Sequence, residues 1–213
     1  MKKIIIIILA IAFVSNNSNA QNLREKFVFG LKAGANYSNV YDSQTEQFQA
    51  DPKPGMAGGA FFAIPISKFI GIQPEILFSQ RGFHATGVMI GSAYDLTRTT
   101  SYIDIPLLFA VKPNKYLTLL AGPQYSYLLK QKDVFSNGSI SYAQEQEFKN
   151  DNIRKNILCF TGGMDINLRH LVLGARAGFD FQNNNGNGTS TTPRYKNAWG
   201  QVTIGYRFFD KIQ

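Results

Sequence analysis

Tyr102-Ile103-Asp104-Ile105-Pro106-Leu107-Leu108-Phe109-Ala110-Val111 is the stretch that decides the fold. Ile103, Ile105, Leu107, Phe109 and Val111 are all large and apolar. The alternate set, Tyr102, Asp104, Pro106, Leu108 and Ala110, includes a carboxylate, so the period is two and the segment is a strand with unequal faces. A length of about ten residues suffices for a tilted strand to cross the hydrocarbon core of a membrane. The pattern therefore suits a barrel whose apolar face meets lipid while the other face lines a lumen.

Working outward, seven more segments carry the same signature. Phe27, Phe29, Leu31, Ala33, Ala35 and Tyr37 alternate with Val28, Gly30, Lys32, Gly34 and Asn36. Residues 55–66 form a glycine-rich strand, and residues 69–83 a third, in which Ile70, Ile72, Pro74, Ile76 and Phe78 share one face and Gln73, Glu75, Ser79 and Arg81 lie on the other. Pro74 gives the ladder no donor, which predicts a bulge near it. Beyond the opening stretch, strands are predicted over 116–129 and 156–167, from Leu171 to Phe181, and from Ala198 to Phe208. Polar segments 38–54, 84–98 and 130–155, and a fourth holding Asn183 to Gly188, read as long loops. Ser67-Lys68, Lys112 to Lys115 and Arg169-His170 read as short turns. Asn137-Gly138 between apolar flanks is a hairpin signal, so the strands beside it are expected to continue beyond the membrane. An even strand count with connections alternating long and short predicts an all-β fold, an eight-stranded antiparallel up-and-down transmembrane β-barrel with short periplasmic turns and long outer loops.

The first twenty residues predict an address. Lys2 and Lys3, the apolar run Ile4 to Val14, and the small residues Ser18 and Ala20 match a secretory signal peptide (1–20) cleaved between Ala20 and Gln21, leaving the barrel domain 21–213. The run is too short to span as a helix. Removing Lys2 and Lys3 lowers the formal net charge from +8 to +6. The charges are dispersed and form no run, which argues against nucleic acid as a partner. Cys159 is the single cysteine, so no internal disulfide can form. The mean hydropathy of −0.14 would disqualify a helical membrane protein but suits a barrel, where only alternate residues face lipid.

Four motifs carry a family resemblance: Gly30-Leu31-Lys32-Ala33-Gly34, Gln73-Pro74-Glu75-Ile76-Leu77-Phe78-Ser79-Gln80-Arg81-Gly82, Tyr102 to Leu108, and Ala121-Gly122-Pro123. In these the chain resembles the outer-membrane β-barrel domain proteins of Bacteroidetes, called porin-family or PorT-family proteins. The resemblance implies an outer-membrane location in a Gram-negative cell, lipid and lipopolysaccharide as surroundings, and insertion by the barrel-insertion machinery. Barrels of this kind commonly end on an aromatic residue, whereas here Asp210 to Gln213 follow Phe208-Phe209. Tyr206 and Phe208 are then the expected insertion signal.

Eight ionisable residues are predicted to face the lumen, four of each sign. Ranked by distance from the short turns, Asp165 and Arg207 form a lower pair, Lys32, Glu75, Asp104 and Arg176 a mid-barrel network, and Arg81 and Asp180 an upper pair. Charge balance at each level fits a salt-bridged plug better than a selective pore, whose constriction would carry a surplus of one sign. An eight-stranded interior is just wide enough for side chains to fill. A soluble barrel with the apolar face inward would need more charge on the alternate face than this chain has. Catalytic chemistry has little to stand on: His84 with Ser79 is the only pairing of base and nucleophile, without an acid adjacent in sequence. Two distant histidines and Cys159 make no metal site, and no nucleotide fingerprint follows the Gly30 to Gly34 segment, so no cofactor is expected. The sequence therefore predicts a non-enzymatic barrel with a structural or surface-binding role through its outer loops, where Phe48, Phe135, Tyr142 and Phe148 are the candidate contacts. A small porin-like channel and a PorT-type accessory of protein secretion are the alternatives.

Overall fold

The computed structural model describes residues 23–41, 49–89, 92–137, 140–146, 153–184 and 195–208. The predicted leader, its Ala20–Gln21 junction, Phe48, Phe148 and the tail Phe209 to Gln213 lie outside these residues, as does the side chain of Tyr142. After a short 3-10 turn at Leu23–Glu25 come nine strands: β1 (Val28–Tyr41), β2 (Gln49–Pro65), β3 (Ile70–Met89), β4 (Ser92–Val111), β5 (Leu117–Asn137), β6 (Ile140–Gln146), β7 (Asn156–Leu168), β8 (Leu171–Asp180) and β9 (Lys196–Phe208). Eight of them close a ring, β1-β2-β3-β4-β5-β7-β8-β9 and back to β1, every pairing antiparallel. β6 stands outside the ring, paired to the upper part of β5.

Exposure decides which face of each strand points out. Along β4, Ile105, Leu107, Phe109 and Val111 are exposed while Asp104, Leu108 and Ala110 are buried; Ile105 is 45% accessible and Asp104 1%. The same holds on β9, where Val202 and Ile204 are exposed and Gln201 and Thr203 buried. Large apolar side chains thus coat the outside as a belt, and the polar set fills the inside. Aromatic clusters mark the short-turn end of that belt, with Phe29 between Phe62 (5.2 Å) and Phe208 (5.6 Å), as expected at a membrane interface.

The strands run further than the apolar pattern predicts. β3 and β4 pair without a break from Ile70 with Val111 to Met89 with Ser92, so most of 84–98 is hairpin and not loop. The apolar face ends near Phe83, but Thr86, Tyr94, Thr97 and Thr99 are strand-forming residues that keep the ladder going in water. β1 and β2 likewise shorten the 38–54 connection. At Asn137-Gly138 the hairpin signal agrees with the structure, since β5 continues to Asn137 and β6 pairs back from Ile140. The bulge predicted near Pro74 is absent, because register is continuous from Pro74 opposite Leu107 to Leu77 opposite Asp104. Register shifts occur instead between Pro52 and Ala57, where Pro52 and Pro54 both lack donors, and between Ser101 and Tyr102.

Glycines inside the ring permit close approach of neighbouring strands. A Cβ built on Gly59 would overlap the carbonyl oxygen of Ile76, and one on Gly34 the carbonyl oxygen of Val202.

The barrel lumen as candidate functional site

Inward-facing side chains fill the ring in layers. In the lower layer Lys32 of β1 and Glu75 of β3 form a buried ion pair with a direct hydrogen bond. Gln73 links the layer by donating from Nε2 to Glu75 Oε1 at 2.9 Å and to Asp165 Oδ2 at 3.2 Å. Arg176 of β8 completes it, with Nη2 2.8 Å from Asp165 Oδ1 and 3.8 Å from Glu75 Oε1, and Nη1 donating to the Met164 carbonyl at 2.8 Å. Two cations face two carboxylates, so the layer is neutral.

A band of neutral polar groups lies next. Asn36 donates to Ser79 Oγ at 2.8 Å, and Gln201 donates to Asn36 Oδ1 at 2.9 Å. Amide and hydroxyl groups here tie β1, β3 and β9 across the interior.

The upper layer is built around Arg81. Its Nη2 donates to Asp104 Oδ2 at 2.5 Å, and Nη1 sits 3.5 Å from Asp180 Oδ1. The guanidinium lies over two rings, 3.5 Å from the centroid of Trp199 and 4.8 Å from that of Tyr102. Asp104 also accepts from Ser126 Oγ at 2.6 Å. Asp180 accepts from the Asn197 backbone N–H at 3.0 Å, from Asn197 Nδ2 at 2.6 Å and from the Cys159 thiol at 3.1 Å. Above this layer Phe83 packs edge-on to Tyr195 at 5.2 Å. Arg98 spans the top, donating to both carboxylate oxygens of Asp133 at 2.8 Å each and to the Tyr195 hydroxyl at 2.8 Å.

The predicted groupings are thereby rearranged. Lys32, Glu75 and Arg176 come together, but Asp104 pairs with Arg81, and Asp165 takes the fourth place in the lower quartet. Counting residues from the turns ignores the stagger that closure imposes, so equal counts on different strands do not mean equal height. Arg207, placed with Asp165 by the sequence, sits at the short-turn mouth of the lumen, close enough to Asp165 to feel its charge, and donates from Nη2 to the Arg169 carbonyl. Arg81 and Asp180 do meet, with Asp104 between the same arms of the network. Tyr206 and Phe208 stand exposed on β9, in edge contact at 5.1 Å, with Tyr206 stacked on His170.

The candidate nucleophile and base are separated. Ser79 points into the lumen and bonds to Asn36, while His84 lies on the opposite face of β3, hydrogen-bonded to Thr97 at 2.9 Å and paired with Asp95 at 2.9 Å. An odd residue separation on one strand forbids the two from sharing a face. His84 is a strand residue and not the start of a loop, and Asp95 reaches it only through the hairpin register. Among the described residues no three histidine, cysteine or acidic side chains converge as metal ligands.

A closed antiparallel ring with an apolar exterior and a hydrogen-bonded polar interior defines a small transmembrane β-barrel. Residues 19–186 match the family described as "Outer membrane protein beta-barrel domain", and the chain belongs to it. It is a multi-pass protein of the Gram-negative outer membrane. Similar solved structures include Ail of Yersinia pestis (16% identity over 86% of this chain and 99% of that one, TM-score 0.49). Neisserial surface protein A is another (10%, 90% and 100%, 0.46), as is OprG of Pseudomonas aeruginosa (13%, 87% and 98%, 0.42). A search of the curated proteins gave no match.

Proposed function

We propose that this barrel is a closed, non-enzymatic support that presents a β-sheet platform above the outer membrane, and that its activity is binding at that surface. The observation that carries the reading is strand length. β3 and β4 have 20 residues each and β5 has 21, about twice the 9–11 that a bilayer crossing needs. The surplus of these three strands, with β6, continues as one sheet beyond the belt, and such elements on a rigid scaffold are where binding residues concentrate. Within it Phe135 stacks on Tyr94 at 5.7 Å, a preordered aromatic contact. The filled lumen supports the same reading, since Glu75, Arg81, Asp104 and Asp180 are all 2% exposed or less. The kinship with Bacteroidetes PorT-type barrels rests on the four motifs alone and belongs to this proposal, as does the cleaved leader.

The test compares vesicles carrying the intact barrel with vesicles carrying a variant in which 85–96 is replaced by a two-residue turn. Both are applied to immobilised glycans and extracellular matrix proteins. Retention of the intact form on a subset of surfaces, lost in the shortened variant, supports the proposal. Equal retention of the two forms contradicts it.

A further inference from the structure

Net charge is distributed very unevenly between the two ends of the barrel. The outer segments 38–54, 84–98, 130–155 and 182–197 hold nine basic and eight acidic residues, and the lumen holds three and four once Arg207 is assigned to the short-turn end. The described segments at the short-turn end, 23–27, 66–69, 112–116, 168–170 and 207–208, hold seven basic residues and one acidic residue. The +6 that remains without Lys2 and Lys3 therefore resides at the periplasmic end.

The structure sets three of these cations beside exposed aromatic rings at the foot of the barrel. Lys68 lies 5.9 Å and Arg24 5.5 Å from the ring of Phe69, and Lys115 lies 4.9 Å from that of Tyr116. Both rings are exposed at the lower border of the apolar belt. Amphipathic cations beside interfacial aromatics extend their charged ends toward the headgroup layer. Arg169 is exposed in the β7–β8 turn. Lys112 is buried in the mouth of the barrel and donates to the Arg24 carbonyl at 2.9 Å. Burial, and to a lesser degree the nearby positive charges of Arg207 and Arg24, hold its pKa below the ordinary lysine value.

We infer that the periplasmic rim is a binding surface for anionic phospholipids, holding their phosphate headgroups in a ring around the foot of the barrel. Complementarity of sign and the position of the aromatic girdle select lipid in the adjacent leaflet over a soluble polyanion. The exposed cations are spread around the circumference, where the headgroups lie, and are not gathered into one pocket. Basic residues at a membrane surface each add to the attraction for acidic lipid, within a Debye length of it.

The test refolds the protein into phosphatidylcholine vesicles containing a trace of spin-labelled phosphatidylglycerol or spin-labelled phosphatidylcholine and reads the motionally restricted fraction of each. Phosphatidylglycerol should be favoured by about fivefold or more, with the preference falling toward parity at high salt. A K68Q/K115Q/R169N variant should lose most of it, and K130Q/K132Q, on the outer rim, should retain it. Heat-modifiable migration verifies that each variant has folded. Equal restriction of the two lipids overturns the inference, and so does a preference that survives the triple substitution. Capture of peptidoglycan fragments by this rim without any lipid preference also overturns it, assigning the charge to a macromolecular partner.

Discussion

Arg81 links three strands of the barrel to its own. It joins Asp104 and Asp180 from β4 and β8 and lies on Trp199 of β9 and Tyr102 of β4. Removing one member of a buried charge group leaves the others desolvated and unpaired, so Arg81→Met should destabilise the barrel by about 3–5 kcal/mol in urea unfolding of the refolded protein. Arg81→Lys keeps the charge but loses the planar stacking on Trp199, and its loss should be smaller. Lys32 and Glu75 behave differently as a pair. K32M alone and E75L alone should each cost about 3–5 kcal/mol, whereas K32M/E75L together should unfold near the parent midpoint, a coupling that a double-mutant cycle measures directly. The inward position of both residues was legible from alternation. Their distances were not, because side-chain reach and strand stagger act across chain neighbours that no local pattern connects.

At the scale of the element, the closing strands depend on glycine where backbones approach. Gly59→Ala places a methyl group on the Ile76 carbonyl and should prevent or strongly slow formation of the heat-modifiable form. At Gly162 the nearest atom to a new Cβ is the Leu120 carbonyl oxygen at 3.4 Å, so Gly162→Ala should fold normally. The contrast separates steric demand from a general sensitivity of the sheet. The projecting β3–β4 hairpin is dispensable for closure by the same logic. Replacing 85–96 with a two-residue turn should leave migration unchanged, since the apolar belt of β3 lies between Ile70 and Phe83 and of β2 only Gln49 and Ala50 lose their β3 partners. Period-two alternation located all eight ring strands, because lipid imposes a strict apolar rule on one face of each. It placed the outer ends of β1 to β5 too low. Above the lipid no such rule operates, and a polar strand such as 84–98 has the composition of a loop while its partner strand supplies the hydrogen bonds.

The molecule as a whole combines an interior filled with polar side chains, a sheet that rises beyond the outer rim and a positively charged foot. The filling of the interior follows from size: eight strands leave room for side chains and little else, and here the lower layer balances two cations with two carboxylates while Arg81 holds two more. Overall polarity of the lumen was legible from sequence, as was the inequality of the two faces. The uneven sharing of charge between the ends is a sum over separate short turns, with Arg207 added at the mouth of the lumen, and no single run of sequence displays it. The central claim is closure, and single-channel recording of the refolded barrel in a planar bilayer tests it most directly. A heat-modifiable barrel that stays electrically silent is the predicted result. Steady openings whose ion selectivity changes with Glu75→Gln or Arg176→Gln would contradict it and make the lumen a channel.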